Sequence, residues 1–407
     1  MNREDSTLTE LQQQISQNCT QCGVCVAKCS YLRQHGDPKQ LADSYDSSQD
    51  SCHSRPFECS LCELCTAVCP QQLNPAQLFL EMRRSAFQQG KANLPQHKSL
   101  RNFEKIGTSK QFSGCSLPSN CDSVFFPGCA LSGSRPDTTR KLYSHLQQQI
   151  PGIGIVFDCC TKPSHDLGNQ QRFSEMFGAL KHSLLQAGIK TVLVACPNCY
   201  KVFNEYAPEL QTRTVYEQLE LQPLPETPRL TGKVSVHDPC VARFVPEAQQ
   251  AVRSLLDKAG LSIVETRHTG KKTLCCGLGG GVNSLDSDKA ERWLSQRVSE
   301  SDGQPLVSYC AACTERLGKM APAHHLLDLL FDSKRDIHTG SGSTKAPFTY
   351  LNRLMLKRSV KQLSPATFSC IRDNNGENPP SRLKKAVVLV LALALFMVLR
   401  QFGIPGY

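Results

Sequence analysis

A pattern of five cysteines occurs twice in this sequence, and it limits the fold and the chemistry more than any other feature. Each copy has a lone cysteine, then an adjacent pair, then a C-x2-C pair. The first copy comprises Cys129, Cys159, Cys160, Cys196 and Cys199, and the second comprises Cys240, Cys275, Cys276, Cys310 and Cys313. Adjacent thiols are awkward for ordinary packing. The duplication therefore predicts two related metal or redox sites.

The cysteine content indicates a reducing compartment. The chain of 407 residues has 22 cysteines, and its first residues, MNREDSTLTELQQQ, lack the apolar core of a secretory signal. Clustered cysteines in a reducing cytosol indicate metal or redox sites rather than structural disulfides. The net charge is +10, but the basic residues are scattered and only 7% of residues are aromatic. We therefore expect no nucleic acid as partner, and favour an anionic membrane surface or an acidic redox partner.

Two other cysteine runs precede the duplicated pattern, each with the spacing C-x2-C-x2-C-x3-C. This spacing is typical of bacterial ferredoxins, where the fourth cysteine of each run ligates the cluster of the other run. We predict one four-iron, four-sulfur cubane on Cys19, Cys22, Cys25 and Cys69, and a second on Cys59, Cys62, Cys65 and Cys29. Ser30 replaces the usual proline after the first run but removes no ligand. Two zinc sites are the alternative, which two complete runs disfavour.

Apolar segments of strand and helix length divide the rest of the chain. In each copy of the duplicated pattern, short apolar strands alternate with amphipathic helices, which predicts an α/β fold with parallel pairing. The cysteines follow strand ends, where ligands gather in open α/β sheets. The predicted fold class is mixed α+β and α/β: a helical two-cluster ferredoxin domain, two duplicated α/β repeats and a C-terminal hydrophobic helix. The predicted units are a ferredoxin-type domain (1–90), a linker (91–122), a first repeat (123–225), a second repeat (226–333), a polar tether (334–385) and a candidate transmembrane anchor (386–404).

The C-terminal segment AVVLVLALALFMVL, residues 386–399, is uninterrupted by polar residues. Alone it is short for a bilayer core of about 30 Å, and a buried helix is the alternative. If Arg400 snorkels, the span extends to residue 404, which is long enough. Arg382, Lys384 and Lys385 precede it, and basic flanks stay on the cytoplasmic side. We therefore predict a single C-terminal anchor that holds the protein at the cytoplasmic face of the cell membrane.

The motifs FPGC, HDPC and CCGLGGG and the closing CxxC pairs resemble the paired cysteine-rich (CCG) domains of heterodisulfide reductase. The same family includes iron–sulfur subunits of anaerobic glycerol-3-phosphate dehydrogenase, glycolate oxidase and lactate-utilisation complexes. A ferredoxin domain followed by two CCG repeats resembles the fused D-type polypeptide of heterodisulfide reductase, over roughly residues 15 to 320. The first repeat departs from the family pattern, because Thr161 stands where the family has glycine. This departure leaves open whether the first repeat holds a cluster.

The resemblance implies one or two further four-iron, four-sulfur clusters, of non-cubane type, on the five cysteines of each complete CCG repeat. Five thiolates exceed the four corners of a cubane, and adjacent cysteines can bridge neighbouring irons. An open iron can bind a substrate sulfur while electrons arrive singly, which divides a disulfide reduction into two steps. The predicted catalytic set is that of the second repeat: Cys240, Cys275, Cys276, Cys310 and Cys313.

The function that the resemblance implies is that of an oxidoreductase subunit in a larger complex. Electrons would pass from the ferredoxin-type clusters to the CCG clusters for disulfide or thiol chemistry. The alternative is an electron-transfer subunit that links a flavoprotein dehydrogenase, of the glycerol-3-phosphate, glycolate or lactate type, to membrane quinone. The sequence contains no flavin or nicotinamide motif, so we expect a partner. The candidates are a cytochrome b or quinone-linked membrane subunit, or a flavoprotein dehydrogenase subunit.

Several residues near the cysteines are also candidates for a functional role. Gly277, Gly279, Gly280 and Gly281 would let the backbone pass close to an inorganic core, where a Cβ would clash. His237 is either a proton donor to a leaving thiolate or a residue that orients the strand end. No role is predicted for the cysteines outside the repeats: Cys52, Cys115, Cys121 and Cys370.

Overall fold

The computed structural model describes residues 8–92, 94–225, 229–332 and 336–363. In these residues the chain forms a helical N-terminal domain followed by two sheets flanked by helices, with parallel pairing throughout both sheets except at one edge. The predicted mixture of a helical domain and parallel α/β sheets is thus confirmed. The predicted anchor at 386–404 and Cys370 lie outside the described residues.

The N-terminal domain packs short helices around a small apolar core that includes Ile15 and Phe79. Its helices are α1 (Leu8–Asn18), α2 (Val24–Lys28), α3 (Ser30–His35), α4 (Pro38–Ser44), α5 (Asp50–His53), α6 (Leu64–Ala67) and α7 (Pro75–Gln88). Asp37 and Gln40 form a capping box at the start of α4, which satisfies backbone donors there. Asn74 caps α7 with its side chain, immediately before a proline at the first helical position.

Residues 91–122 are more ordered than the predicted linker. They contain a helix, α8 (Lys98–Gly107), and a strand, β1 (Gly114–Ser116). The strand pairs antiparallel with the later strand Gly154–Phe157 and covers what would otherwise be an open sheet edge. The segment therefore belongs structurally to the first repeat.

The first repeat forms a sheet with helices on its faces. Its further elements are β2 (Ser123–Phe126), α9 (Cys129–Ser134), α10 (Pro136–Gln149), β3 (Gly154–Phe157), α11 (Lys162–Asp166), α12 (Gln170–Gln186), β4 (Thr191–Val194), α13 (Pro197–Tyr206), β5 (Gln211–Thr214) and α14 (Val215–Glu220). The strand order is β1-β3-β2-β4-β5, and all pairs except β1–β3 are parallel. The three central strands are almost entirely buried, as expected for a sheet covered on both faces.

The second repeat has the same topology. Its elements are β6 (Lys233–His237), α15 (Pro246–Lys258), β7 (Ser262–Ile263), α16 (Val282–Leu285), α17 (Ser287–Ser299), β8 (Leu306–Ser308), α18 (Ala311–Leu317), β9 (Ala323–His325) and α19 (Leu326–Phe331). The order β7-β6-β8-β9, parallel throughout, matches β3-β2-β4-β5 strand for strand. The strand β7 is short, and a segment with a 3-10 turn at Gly270–Lys272 separates it from Cys275.

One apolar core continues from the first repeat into the second. At this boundary Arg135 forms a buried ion pair with Asp328, with Nε and Oδ2 separated by 2.7 Å. The hydroxyl of Tyr216 lies 2.9 Å from the carbonyl oxygen of Ala195 and 2.8 Å from that of Tyr309. The two repeats therefore share their core and sit next to each other at the loops that precede their CxxC pairs.

The last described helix, α20 (Phe348–Leu363), returns to the first repeat and packs against α9. Asn352 on α20 donates a hydrogen bond of 2.9 Å to the carbonyl oxygen of Gly133 on α9. Among the residues that the structure describes, no helix combines the length and apolar character needed to cross a membrane.

Candidate functional site

The first cysteine run supplies three of the four cysteines that line a cavity in the N-terminal domain, and the second run supplies the fourth. These residues are Cys19, Cys22, Cys25 and Cys69. Left-handed backbone at Gln21 (φ 51°) and Gly23 (φ 75°) wraps the loop, so that neighbouring thiols converge. Cys22 is exposed. Burial and the nearby Cys19 raise the pKa of Cys25 to about 11.

A second cavity is lined by the complementary set, Cys29, Cys59, Cys62 and Cys65. Leu61 (φ 52°) and Glu63 (φ 60°) repeat the left-handed turn of the first run, with Glu63 in the position of Gly23. The fourth thiol of the first run therefore lies among those of the second. Burial and the nearby Cys62 raise the pKa of Cys29 to about 11. The structure thus brings together the two crossed sets that the ferredoxin spacing predicts.

The five cysteines of the first repeat converge at the ends of β2, β3 and β4. Cys129 begins α9, Cys159 and Cys160 follow β3, and Cys196 precedes α13. Cys129 is hydrogen-bonded to Cys159, and Cys199 to both Cys160 and Cys196. The hydrogen bond from Cys199 lowers the pKa of Cys196 to about 6.

Close packing around these thiols requires glycine at one position and tolerates threonine at another. Gly128 has φ 77°, and a Cβ there would lie 3.0 Å from Cys196 Cβ and 3.2 Å from Cys199 Sγ. Thr161, where the family has glycine, keeps a left-handed backbone with φ 55° and is fully buried. Its hydroxyl donates a 2.8 Å hydrogen bond to the carbonyl oxygen of Cys160. The turn is therefore retained without its glycine.

The second repeat brings its five cysteines together in the same way. Cys240 is hydrogen-bonded to Cys275, and Cys313 to both Cys276 and Cys310. The Sγ atoms of Cys276 and Cys313 are 3.3 Å apart, well beyond a disulfide bond length of about 2.05 Å. Hydrogen bonds from Cys240 and Cys276 lower the pKa of Cys275 well below its ordinary value. A thiol poised to ionise suits metal ligation, because the thiolate is the ligand form.

His237 lies beside these thiols and is fully buried. One of its ring nitrogens and the Sγ atoms of Cys276 and Cys313 lie within 4.8 Å of one another. Arg297 donates from Nε to His237 Nδ1 at 2.9 Å, which leaves the ring proton on Nε2. Burial and then Arg297 lower the pKa of His237 to about 3. The imidazole is therefore neutral near pH 7, which favours the second of the two roles expected for His237, orienting the strand end, over proton donation.

The glycine-rich segment after Cys276 contacts the N-terminal domain. A Cβ on Gly279 would lie 2.5 Å from the carbonyl oxygen of Ser60. A Cβ on Gly280, at φ 60°, would lie 2.8 Å from that of Cys59. Within this segment, the amide of Gly277 bonds a ligand sulfur, 3.3 Å from Cys275 Sγ. The glycines therefore permit close docking between two domains.

Two buried arginines hold this docked arrangement. Arg83, which is 0% exposed, donates to the carbonyl oxygens of Pro56 and Cys59 in its own domain. It also donates to the carbonyl oxygen of Asp166 in the first repeat at 2.6 Å and to that of Gly280 in the second at 2.9 Å. Arg83 thus joins all three parts of the chain through one guanidinium.

Arg243 joins the N-terminal domain to the second repeat in the same way. It donates to the carbonyl oxygen of Cys62 at 3.0 Å and to that of Thr273, just before the cysteine pair of the second repeat, at 2.7 Å. Sequence reasoning missed both arginines, although one signal was present. Arg83 follows Phe79 by four residues on α7, so it falls on the buried face of an amphipathic helix.

Neighbouring cysteine sets meet at single residues. Cys275 of the second repeat lines the same cavity as Cys29, Cys59, Cys62 and Cys65. Ser60 is hydrogen-bonded to both Cys62 and Cys275. Asn198 Nδ2 lies 3.8 Å from Cys196 Sγ and 3.9 Å from Cys310 Sγ, so it contacts both repeats. The second ferredoxin-type set, the second repeat and the first repeat therefore form a continuous series.

The cysteines outside these sets lie in apolar cores or outside the described residues. Cys52 lies in the core of the N-terminal domain, and Cys115 and Cys121 lie in the core of the first repeat. None of the 21 described cysteines forms a disulfide. The sequence predicts no role for Cys52, Cys115 or Cys121, and their positions agree with an apolar packing function.

The donor sets fit iron–sulfur clusters, since each consists of converging thiols with left-handed turns or glycines that keep Cβ atoms away. Comparison with known sequence families identifies the type of these sites. Residues 18–74 match the 4Fe-4S dicluster domain, and residues 123–204 and 234–318 match the cysteine-rich domain CCG. The chain belongs to the CCG iron–sulfur proteins. The predicted family resemblance and the prediction of several 4Fe-4S clusters are both confirmed.

Curated relatives include CCG proteins of several complexes. The B subunit of fumarate reductase (CoM/CoB) from Methanothermobacter marburgensis is 23% identical over 328 residues, which are 72% of this chain and 66% of that protein. EtfAB:quinone oxidoreductase of Syntrophomonas wolfei is 22% identical over 284 residues, 61% of this chain and 38% of that protein. The D subunit of dihydromethanophenazine:CoB--CoM heterodisulfide reductase from Methanosarcina mazei is 22% identical over 376 residues, 77% of this chain and 91% of that protein. The matched region thus spans just under two thirds of the first of these relatives and much less of the second.

Proposed function

We propose that this CCG protein is an iron–sulfur subunit of an oxidoreductase complex, which passes electrons from ferredoxin-type sites to its CCG sites for disulfide or thiol chemistry. The observation that carries this proposal is the shared cavity of the second ferredoxin-type set. Cys275 lines that cavity together with Cys29, Cys59, Cys62 and Cys65. A thiol of the second CCG set thus faces the same cavity as the ferredoxin-type thiols.

Eighteen of the 22 cysteines fall into four sites. Two sites of ferredoxin type comprise Cys19, Cys22, Cys25 and Cys69, and Cys29, Cys59, Cys62 and Cys65. The CCG sites comprise Cys129, Cys159, Cys160, Cys196 and Cys199, and Cys240, Cys275, Cys276, Cys310 and Cys313. Clusters bound there supply one-electron redox chemistry, at potentials set by charge, hydrogen bonds and solvent exposure. We place the reaction with sulfur compounds at the second repeat.

The protein's own residues keep these sites close. Arg243 ties the Cys62 loop to the segment before Cys275, and Ser60 is hydrogen-bonded to both thiols. Cys22 is exposed at the first ferredoxin-type site, which suits delivery of electrons by a partner at that surface. The site with an exposed thiol therefore receives electrons, and the buried sites pass them inward.

A relay to membrane quinone is the second candidate function, and the burial of the CCG thiols favours it. Cys275, Cys276, Cys310 and Cys313 are buried, and only Cys240 of the second set is partly exposed. Electrons reach a buried set of thiols more readily than a bulky disulfide does. A flavoprotein dehydrogenase would then be the donor, and a cytochrome b or quinone-linked membrane subunit the acceptor. The anchor at 386–404, predicted from the sequence, would hold the protein at the cytoplasmic face of the membrane.

Iron analysis of protein purified without oxygen tests the proposal. We expect about sixteen irons per chain if all four sites fill, at about four per cluster. About eight irons, by the same count, would mean that both CCG sites are empty, and zinc in place of iron would overturn the proposal.

Electron paramagnetic resonance separates the two candidate functions. Oxidation in the presence of added thiols should give a paramagnetic signal in the wild type that is lost in Cys275→Ala, whereas the ferredoxin-type signals persist. Cys52→Ala is the matched control, because Cys52 is a buried thiol outside all four sets. A thiol-dependent signal supports direct sulfur chemistry, and its absence alongside normal ferredoxin-type signals supports the relay.

A further inference from the structure

The helix α20 lies outside the matched domains but forms part of the surroundings of the first CCG site. It crosses α9, the helix that begins at Cys129, at very short range. A Cβ on Gly133 of α9 would lie 3.1 Å from Thr349 Cβ and 3.6 Å from Arg353 Cδ. The close crossing brings the side chain of Arg353 beneath the helix, toward the cysteines of the first repeat.

Arg353 is buried, with only 6% of its surface exposed. Its Nη2 donates to the carbonyl oxygen of Gly107 at 3.5 Å, and its guanidinium lies 5.1 Å from the ring centroid of Phe112. Its Nη1 is buried and has no hydrogen-bond partner among the described residues. A buried guanidinium with an unused donor is costly unless an anion compensates its charge.

The position of Gly107 shows what lies on the other side of this guanidinium. A Cβ built on Gly107 would be 3.6 Å from Arg353 Nη2 and 3.7 Å from Cys159 Sγ. Arg353 and Cys159 therefore face each other across one glycine. Glycine at this position leaves the space between the guanidinium and the thiol open.

Glu104 lies on α8, the helix that ends at Gly107, and its carboxylate already has partners. Its Oε1 and Oε2 accept hydrogen bonds from the hydroxyl and amide of Ser164 at 2.6 and 2.7 Å. Arg172 Nε also contacts Glu104 Oε1 at 3.0 Å. Glu104 is thus engaged by Ser164 and Arg172, and the thiol set of the first repeat is a further source of negative charge beside Arg353.

We propose that Arg353 is the charge partner of the iron–sulfur cluster on Cys129, Cys159, Cys160, Cys196 and Cys199, and that it favours the reduced form of that cluster. Reduction adds one electron, supplied from the ferredoxin-type sites, and makes the cluster and its thiolates more negative by one charge. A fixed positive charge at short range stabilises the more negative state and so raises the reduction potential. Arg353 acts here as a positioning and tuning residue and not as a ligand. This inference rests on the proposed presence of a cluster in the first repeat.

The test is a potentiometric titration followed by electron paramagnetic resonance. The signal of the first CCG site is identified as the one that is lost in Cys160→Ala. In Arg353→Met and Arg353→Gln we expect the ratio of reduced to oxidised cluster at a fixed potential to fall about tenfold, which corresponds to about 59 mV for one electron. Two variants are used because methionine keeps the packing against Phe112 if glutamine does not fold. Arg353→Lys retains the charge and should recover most of the wild-type ratio.

Lys357→Gln is the matched control. It removes one positive charge from the same helix, but Lys357 donates to the carbonyl oxygens of the loop at residues 110–113. We expect an unchanged ratio. An equal shift in Lys357→Gln, or an unchanged ratio in the Arg353 variants with full iron content, overturns the inference and leaves the proposed function standing. If no signal is lost in Cys160→Ala, the first repeat has no cluster, and the inference fails together with that part of the proposed function.

Discussion

The two CCG repeats have the same strand order and the same five cysteines, but different parts of the chain cover their sites. The N-terminal domain covers the second repeat, through Gly279 and Gly280 against the Ser60 loop. The first repeat is covered by α8 and α20, segments that lie outside the matched domains. A duplicated fold therefore supplies two thiol sets, and the surrounding segments give them different environments. The second stands beside the ferredoxin-type thiols, and the first is enclosed with a buried arginine.

The two repeats also differ in which of their thiols has a lowered pKa. In the first repeat the thiol with a lowered pKa is Cys196, in the CxxC pair. In the second repeat it is Cys275, in the adjacent pair, which faces the ferredoxin-type cavity. The thiol with the lowered pKa in the second repeat is thus the one that lines the ferredoxin-type cavity.

The largest expected effect comes from replacing Arg83, the residue of the N-terminal domain that donates hydrogen bonds to both repeats. Arg83→Met removes a donor from the carbonyl oxygens of Pro56, Cys59, Asp166 and Gly280. The oxygen of Pro56 keeps the amide of Cys59 as a donor, and each of the other three oxygens loses its arginine bond at a cost of about 1–3 kcal/mol. We expect a loss of at least about 3 kcal/mol of stability in total. The measurement is the thermal unfolding midpoint at a fixed scan rate without oxygen.

A matched control for this variant is Arg33→Met. Arg33 is exposed and donates to the carbonyl oxygen of Ala27 within the same domain, so its loss should change stability by less than about 0.5 kcal/mol. Equal midpoints for the two variants would contradict the assigned role of Arg83 in joining the domains.

A second variant should affect the second repeat alone. Gly280→Ala places a Cβ 2.8 Å from the carbonyl oxygen of Cys59 at a left-handed position, so the N-terminal domain must shift away, at about 1–3 kcal/mol. We expect slower reduction of the second CCG site, measured by rapid-freeze resonance spectra after mixing with a reductant, and an unchanged iron content.

Gly178→Ala is the control for this second variant, because Gly178 lies in α12 and a Cβ built there would have no atom within 4 Å. Alanine there should be neutral or stabilising by up to about 1 kcal/mol. Unaltered reduction kinetics in Gly280→Ala would show that this contact does not set the distance between the two sites.

The features that depend on local spacing were predictable from the sequence. The crossed ferredoxin-type sets follow from the loop lengths, and the parallel sheets follow from strands that alternate with helices. The docking surfaces depend on contacts between distant segments, such as Gly280 with Cys59, and one sequence carries no signal for them. The glycines after Cys276 illustrate this limit, because they fit both a cluster cradle and a docking loop until the neighbouring atoms are known. The same applies to β1, whose pairing depends on an open edge of β3.

The smallest expected effect tests whether the first repeat tolerates its departure from glycine by accepting strain. Thr161 has φ 55°, a region that costs an L-residue about 1–2 kcal/mol, whereas the corresponding Gly277 has φ 89° without that cost. Glycine loses more entropy on folding, by about 0.5–1 kcal/mol, so the net gain of Thr161→Gly should be about 1 kcal/mol or less. Thr161→Ala is the informative control, since it removes the hydroxyl but keeps the Cβ. If the backbone at this position were right-handed, Thr161→Ala would be more stable than Thr161→Gly. At a strained left-handed position, Thr161→Gly is the more stable variant. An unfolding midpoint for Thr161→Ala at or above that of Thr161→Gly would therefore show that the first repeat carries no such strain.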